Sequence, residues 1–258
     1  MATIHFLDVG CADTTIITSL GKTILIDCSL GIEDYKELLP KNKVIDVVFI
    51  THQHQDHFNG LKYFKEEGYM ISHLICSPYE RRRGDDSVSL EEWNDFSELL
   101  DFFKGQGTKV YKPFRQESFD KEWWSFAGLK FWMLAPDKDI AKAQDRVLHD
   151  ASLVFTIKSS KSGKKICFTG DASNKSLKQI ASTTKDYCDN LLHASHHGSL
   201  NGAELSFIKK ANITTTIVST KEGIKENLPH KDALKRYSDN SSKNVLRTDK
   251  DGTILEHL

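Results

Sequence analysis

Apolar residues recur along the chain in short bursts of strand length, separated by polar stretches with helical spacing. In the first half the bursts are Ile4–Val9, Thr14–Thr18, Thr23–Ile26, Val44–Ile50, Ile71–Cys76 and Lys109–Tyr111. In the second half they are Leu129–Leu134, Leu153–Ile157, Lys165–Thr169, Asn190–Ala194, Thr215–Val218 and Val245–Arg247. Amphipathic helical patterns lie between many of them, at Asp34–Leu39, Gly60–Glu67, Leu90–Phe103, Lys175–Ala181, Ala203–Ala211 and Lys231–Ser238. Strand hairpins come first and strand–helix alternation follows, roughly twice over. That order predicts a layered α/β protein with two sheets rather than one doubly wound sheet.

The bulk properties fit a globular chain. Of 258 residues, 39% are hydrophobic and 28% charged, enough for a substantial core. The length suits a single domain, residues 1–258, with the least regular stretch, 79–125, expected to be an insertion over one face of the site. That stretch holds Arg81, Arg82 and Arg83, an amphipathic helix, and the Trp123–Trp124 pair. It reads equally as a solvated surface excursion. The 35 basic and 36 acidic residues give a net charge of −1, so any polyanion contact must come from a local patch. No apolar run is long enough to cross a bilayer, and the opening MATIHFLDV has no basic n-region. With five cysteines in no CxxC pairing, the chain is expected to be cytoplasmic with reduced thiols.

The densest chemistry lies in VVFITHQHQDHFNGL. A buried strand ends at Ile50, and in extended backbone His52 and His54 point to one side. If the chain then enters a helix, Asp56 and His57 sit at its start, and four potential ligands meet in one volume. Imidazole with carboxylate suits Zn²⁺ or Mn²⁺, and the lack of a cysteine here argues against a structural zinc finger. Four more polar groups stand at strand ends. Asp27 closes TILID, His149 precedes SLVFTI, Asp171 follows KICFT, and His196-His197 follow NLLHA. Each taken alone also fits a turn or loop residue; the recurrence is what makes a metal site the better reading.

The ordered set Asp27, His52-x-His54-x-Asp56-His57, His149, Asp171 and His196-His197 resembles the metallo-β-lactamase superfamily. The opening LDVGCAD, the segment HASHHGS and the tail NLPHKDAL…VLRTDKDGTI further resemble the metallo-hydrolase domain of ComEC-type DNA-uptake (competence) proteins. The resemblance implies a four-layer αββα sandwich with the active site at one edge of the two sheets. It implies two divalent metal ions, with His52, His54 and His149 on the first. Asp56, His57 and one of His196 or His197 would hold the second, His196 being favoured, and Asp171 would bridge the pair. Asp27 would stand behind as an orienting partner. Two departures matter: His149 stands where that branch often has Asn, and Cys11-Ala12 replace its Gln-Gly pair.

The reaction implied is hydrolysis by a metal-bridging hydroxide, with Asp56 in the catalytic set. Phosphodiester, lactone and thioester substrates all suit such ligands. Lys221, Asn227 and His230 lie in the tail segment; Lys221 and His230 are candidates to bind a phosphate or protonate the leaving oxygen. Arg81–Arg83 offer an anion contact and Trp123, Trp124 and Phe126 a base-stacking surface, or else a solvated loop and packing. The leading expectation is a nuclease or phosphodiesterase acting on DNA or a nucleotide, working with a separately encoded protein partner. A lactonase or thioesterase is the second reading. The third is a non-catalytic regulatory partner, which the complete ligand set argues against.

Overall fold

The computed structural model describes residues 2–258. Its strands are β1 (Thr3–Phe6), β2 (Thr15–Ser19), β3 (Lys22–Ile26), β4 (Val44–Ile50), β5 (Met70–Cys76), β6 (Lys109–Tyr111) and β7 (Trp124–Phe126). They continue with β8 (Leu129–Ala135), β9 (Val154–Ser159), β10 (Lys165–Phe168), β11 (Asp189–His193), β12 (Asn212–Val218), β13 (Asn244–Arg247) and β14 (Ile254–His257). They form two seven-stranded sheets, ordered β14-β1-β2-β3-β4-β5-β6 and β13-β12-β11-β10-β9-β8-β7. Each sheet is antiparallel over one half and parallel over the other. The changeover falls at β3 in the first and at β10 in the second.

The helices are α1 (Gln55–Phe58), α2 (Gly60–Glu66), α3 (Leu90–Gly105), α4 (Lys138–Lys142), α5 (Asn174–Thr183), α6 (Leu205–Lys210), α7 (Lys231–Asn240) and α8 (Thr248–Asp251). None among the described residues is long and apolar enough to cross a membrane. Strand β4 shows why the sheets sit inside. Val47 and Phe49 face the other sheet, while Val48 and Ile50 face the outer helices, and all four are fully buried. Between the sheets Phe49 stacks on Phe155, ring centroids 4.5 Å apart. Outside the first sheet, Phe58, Leu61, Phe96 and Phe103 close a second core; outside the other, Leu177, Ile180, Phe207 and Tyr237 close a third. The result is the expected αββα sandwich.

The segment 79–125 has three parts. Residues 90–111 pack on the body of the fold: α3 buries Phe96, Leu99, Leu100 and Phe103 in the outer core, and β6 extends the first sheet beside β5. Residues 79–89 form a loop near the end of β4. Trp123, Trp124 and Phe126 pack against the core between the sheets, where Trp124 stacks on Phe126.

Candidate metal centre

The candidate site is built from strand ends. Asp27 follows β3 and His52–His57 follow β4. His149 precedes β9, Asp171 follows β10, and His196-His197 follow β11. Parallel strands that stop at one edge deliver these side chains to a common volume.

Four groups meet first. His52 Nε2 lies 3.1 Å from His54 Nδ1, which lies 3.3 Å from His149 Nε2, and Asp171 Oδ2 is 3.7 Å from His52 Nε2. The remaining ring nitrogens decide what this means. Thr51 Oγ1 donates to Asp27 Oδ2 (2.7 Å) and so accepts from His52 Nδ1 (3.2 Å). The Ser87 carbonyl, in the 79–89 loop, accepts from His54 Nε2 (3.0 Å). Assigned from those partners, His52 Nε2 and His54 Nδ1 are both bare lone pairs. Two lone pairs at 3.1 Å repel unless a cation lies between them.

A second group shares Asp171. His57 Nδ1 donates to Asp27 Oδ2 (2.8 Å), which turns Nε2 toward Asp171 Oδ1 (3.3 Å) and Asp56 Oδ1 (3.9 Å). His197 Nδ1 donates to the Ser219 carbonyl (3.0 Å), leaving Nε2 3.5 Å from Asp56 Oδ2 and 3.9 Å from Asp171 Oδ2. His57 Nε2, His197 Nε2 and Asp171 Oδ1 are buried without a hydrogen-bond partner. Such orphaned atoms cost free energy unless something binds them. Imidazole nitrogens and carboxylates converge in two sets around the shared Asp171, one with His52, His54 and His149 and one with Asp13, His57 and His197. These fit a pair of divalent ions, and Asp56 borders the second set.

His196 and His197 differ in how they are held. Both have left-handed backbone, φ 53° and 52°. The His197 side chain is fully buried and anchored on Ser219; that of His196 is 22% exposed, with Nδ1 unpartnered and Nε2 3.6 Å from Asp171 Oδ2.

The electrostatics follow the geometry. Burial pushes the His149 ring down to about 3 and holds His52 low as well, so both rings are neutral near pH 7. Burial also opposes charge on His57 and His197, but nearby carboxylates outweigh it. Asp171 and Asp27 raise His57 well above its ordinary value, while Asp171, Asp13 and Asp56 raise His197 to about 9. Burial likewise disfavours the Asp56 and Asp171 anions. Even so, the surrounding histidines hold both carboxyls below the usual carboxylate range.

Three further neighbours complete the surroundings, and no sequence motif assigned them a role. Asp13, from the opening LDVGCAD, is buried with both oxygens unpartnered, 3.8 Å from His57 Nδ1 and 3.9 Å from His197 Nδ1. It faces the backs of these rings, so it orients them rather than sharing their front. His193 lies beside it, its Nε2 bonded to Ser219 Oγ (2.8 Å). Lys225 is the third: its Nζ reaches Asp56 Oδ2 at 2.6 Å. Lys221 and Asn227 are exposed in the same loop and make no hydrogen bond or ion pair to the cluster among the described residues. His230 caps α7, accepting from Asp232 N through Nδ1, and its backbone N–H donates to the Gly198 carbonyl (2.9 Å). The tail segment thus folds against the His196-His197 loop.

The model of the Metallo-beta-lactamase superfamily matches residues 8–115. No curated protein matches the chain. Among solved structures, the metallo-beta-lactamase fold protein YhfI from Bacillus subtilis is 14% identical over 99% of this chain and 98% of its own, with TM-score 0.61. Human tRNase Z, short form, is 15% identical over 100% of this chain and 99% of its own, TM-score 0.55. Yeast PDE1 is 12% identical over 96% and 98%, TM-score 0.57. The chain therefore has the metallo-β-lactamase fold, and the superfamily's model matches its first part.

Proposed function

We propose that the protein is a two-metal phosphodiesterase or nuclease, acting on nucleic acid or a nucleotide in the cytoplasm. The observation that carries the metal reading is the pair of facing lone pairs on His52 and His54, next to the buried, unpartnered Nε2 atoms of His57 and His197. His52, His54 and His149 would hold one Zn²⁺ or Mn²⁺, and Asp56, His57 and His197 the other, with Asp171 shared. His197 replaces the expected His196 because its ring is fixed on Ser219 with Nε2 left over. When bound, such ions stabilise charge on phosphoryl oxygens and make water acidic enough to attack near neutral pH.

The chain's own residues supply the rest. Asp27 keeps the proton on His57 Nδ1, and the Ser87 carbonyl keeps it on His54 Nε2, which fixes both rings. Lys225 puts an ammonium beside Asp56, where an anionic substrate would find it. His230, which accepts from Asp232 N through Nδ1 and is tied by its backbone to Gly198 beside the His196-His197 loop, is the candidate to protonate a leaving oxygen. The phosphoester reading draws further support from neighbours called a tRNase, a diphosphatase and PDE1, and from the likeness to the DNA-uptake branch.

The test incubates protein loaded with Zn²⁺ or Mn²⁺ with single-stranded DNA, bis(p-nitrophenyl) phosphate and a lactone, beside a His54→Ala control. Cleavage of a phosphodiester that the control abolishes is expected. Turnover of the lactone alone would overturn the reading in favour of the lactonase type.

A further inference from the structure

The loop 79–89 carries a carboxylate that the metal reading has not used. Gly84 and Asp86 on either side of it are exposed, yet the Asp85 side chain is only 8% exposed. A carboxylate withdrawn from water costs free energy unless donors surround it. Here they do. Tyr79 Oη donates to Asp85 Oδ2, and Arg146 stands 3.8 Å from the same oxygen. Both partners are buried, with the Arg146 guanidinium stacked over the Tyr79 ring at 4.7 Å. Tyr79 also belongs to a small apolar cluster with Val88, Leu148 and Ala151, which seats the loop against the segment that carries His149.

The other oxygen, Asp85 Oδ1, accepts twice from Ser87, from its backbone N–H (3.1 Å) and from its hydroxyl (2.7 Å). With that proton committed, Ser87 Oγ accepts from the N–H of Leu148 (2.9 Å), the neighbour of His149. The Ser87 carbonyl accepts from His54 Nε2 (3.0 Å). A single serine thus braces His54 and the backbone beside His149, two of the three imidazoles of the first set. It braces nothing in the second set, where His57 rests on Asp27 and His197 on Ser219. We infer that Asp85 is a positioning residue for the ion held by His52, His54 and His149. Tyr79 and Arg146 fix Asp85, Asp85 fixes Ser87, and Ser87 fixes the ring of His54 and the approach of His149. The two ions therefore differ in what they depend on: the first on this loop, the second on residues that follow β3 and β12.

This inference rests on the two-metal reading and on no particular substrate, so its test reads bound metal rather than turnover. Zn²⁺ is titrated onto the full, chelator-treated chain in competition with a chromophoric chelator, in two backgrounds. His197→Ala keeps the first site and His54→Ala keeps the second. Added to His197→Ala, Asp85→Ala is expected to weaken the remaining ion about 10–100-fold, the span typical of a group that orients a metal ligand. Added to His54→Ala, it is expected to leave affinity within about twofold, as for independent sites. Asp85→Asn keeps an oxygen that accepts from Ser87 and is expected to recover most of the loss. Ser87→Ala, which removes one hydroxyl and no charge, is expected to weaken the same ion in the same background alone, a pattern that loss of fold does not produce. Equal weakening in both backgrounds, or none in His197→Ala, would overturn the inference while the wild-type chain still binds two ions. A wild-type chain that binds none would overturn the two-metal reading, and the inference with it.

Discussion

Every ring nitrogen that faces the cluster from His52, His54, His57 or His197 does so because the other nitrogen of the same ring is occupied. Thr51 serves His52, Ser87 serves His54, Asp27 serves His57 and Ser219 serves His197. Fixing a tautomer and a ring plane in this way is what prepares imidazole for a metal before the metal arrives. His196 has no such support, and this gives a prediction at its own scale. His197→Ala is expected to lower the bound metal from two ions per chain to one, while His196→Ala keeps two. Metal analysis of the purified proteins measures this directly, and two ions retained by His197→Ala would reverse the assignment. His52, His54, Asp56 and His57 were legible in the sequence because residue type, the strand end at Ile50 and the helix start that follows it agree there. Lys225 was not legible. It meets Asp56 across 169 positions of sequence, through a loop whose course no local pattern encodes. Asp13 was visible as a carboxylate in LDVGCAD, but its burial behind two histidines depends on the sheets having closed.

At the scale of elements, the twelve expected strands all occur, most of them because they carry a buried apolar burst. The two that were not expected are short and at sheet edges. β7 has three residues, and β14 buries only Ile254 of four, so neither offers a periodicity to read. The helix over 90–103 was legible from its apolar spacing, and Ser89 with Glu92 forms a capping box at its start. What local spacing does not encode is which part of 79–125 packs on the first sheet, because that depends on β6 pairing with β5 across a long gap in sequence. What the elements do for the site is hold loops that would not otherwise keep their shape. Gly170, between β10 and Asp171, has φ +46°, and a Cβ there would come within 2.6 Å of Thr51 Cβ and Oγ1 and 2.7 Å of Ser152 Oγ. Thr51 Oγ1 in turn holds Asp27. Gly170→Ala is therefore expected to destabilise the fold by about 1–3 kcal/mol and to weaken metal binding as well. Urea denaturation and metal titration of the variant check both. An unchanged midpoint with unchanged affinity would mean that Thr51 yields freely and that Asp171 does not depend on it.

For the whole molecule, the metal centre sets how stability depends on pH, because its titrating groups are pulled in opposite directions. His197 ionises near 6.5 in the unfolded chain and at about 9 in the fold. A raised folded value means stability that is fully present below pH 6.5 and lost as pH rises through 9. His57 is raised and acts in the same sense. His149, lowered to about 3, acts oppositely: its contribution is present above 6.5 and falls away toward pH 3. Asp56 and Asp171, both held low, add stability that is present above their ordinary value of 3.8 and lost below it. The metal-free protein is thus expected to be most stable near pH 6.5. Toward pH 9 it should lose about 2–3 kcal/mol on account of His197, since each tenfold difference in proton affinity between fold and unfolded chain is worth about 1.4 kcal/mol. With both ions bound the histidines are already deprotonated, and the ions take over the role of their protons, so the alkaline loss disappears. Urea denaturation of chelator-treated and metal-loaded protein at pH 6.5 and 9 separates the two cases. Equal stability of the chelated protein at both values would mean that His197 does not carry the extra proton. The neutral rings of His52 and His149 would then have to account for the metal-free centre without it.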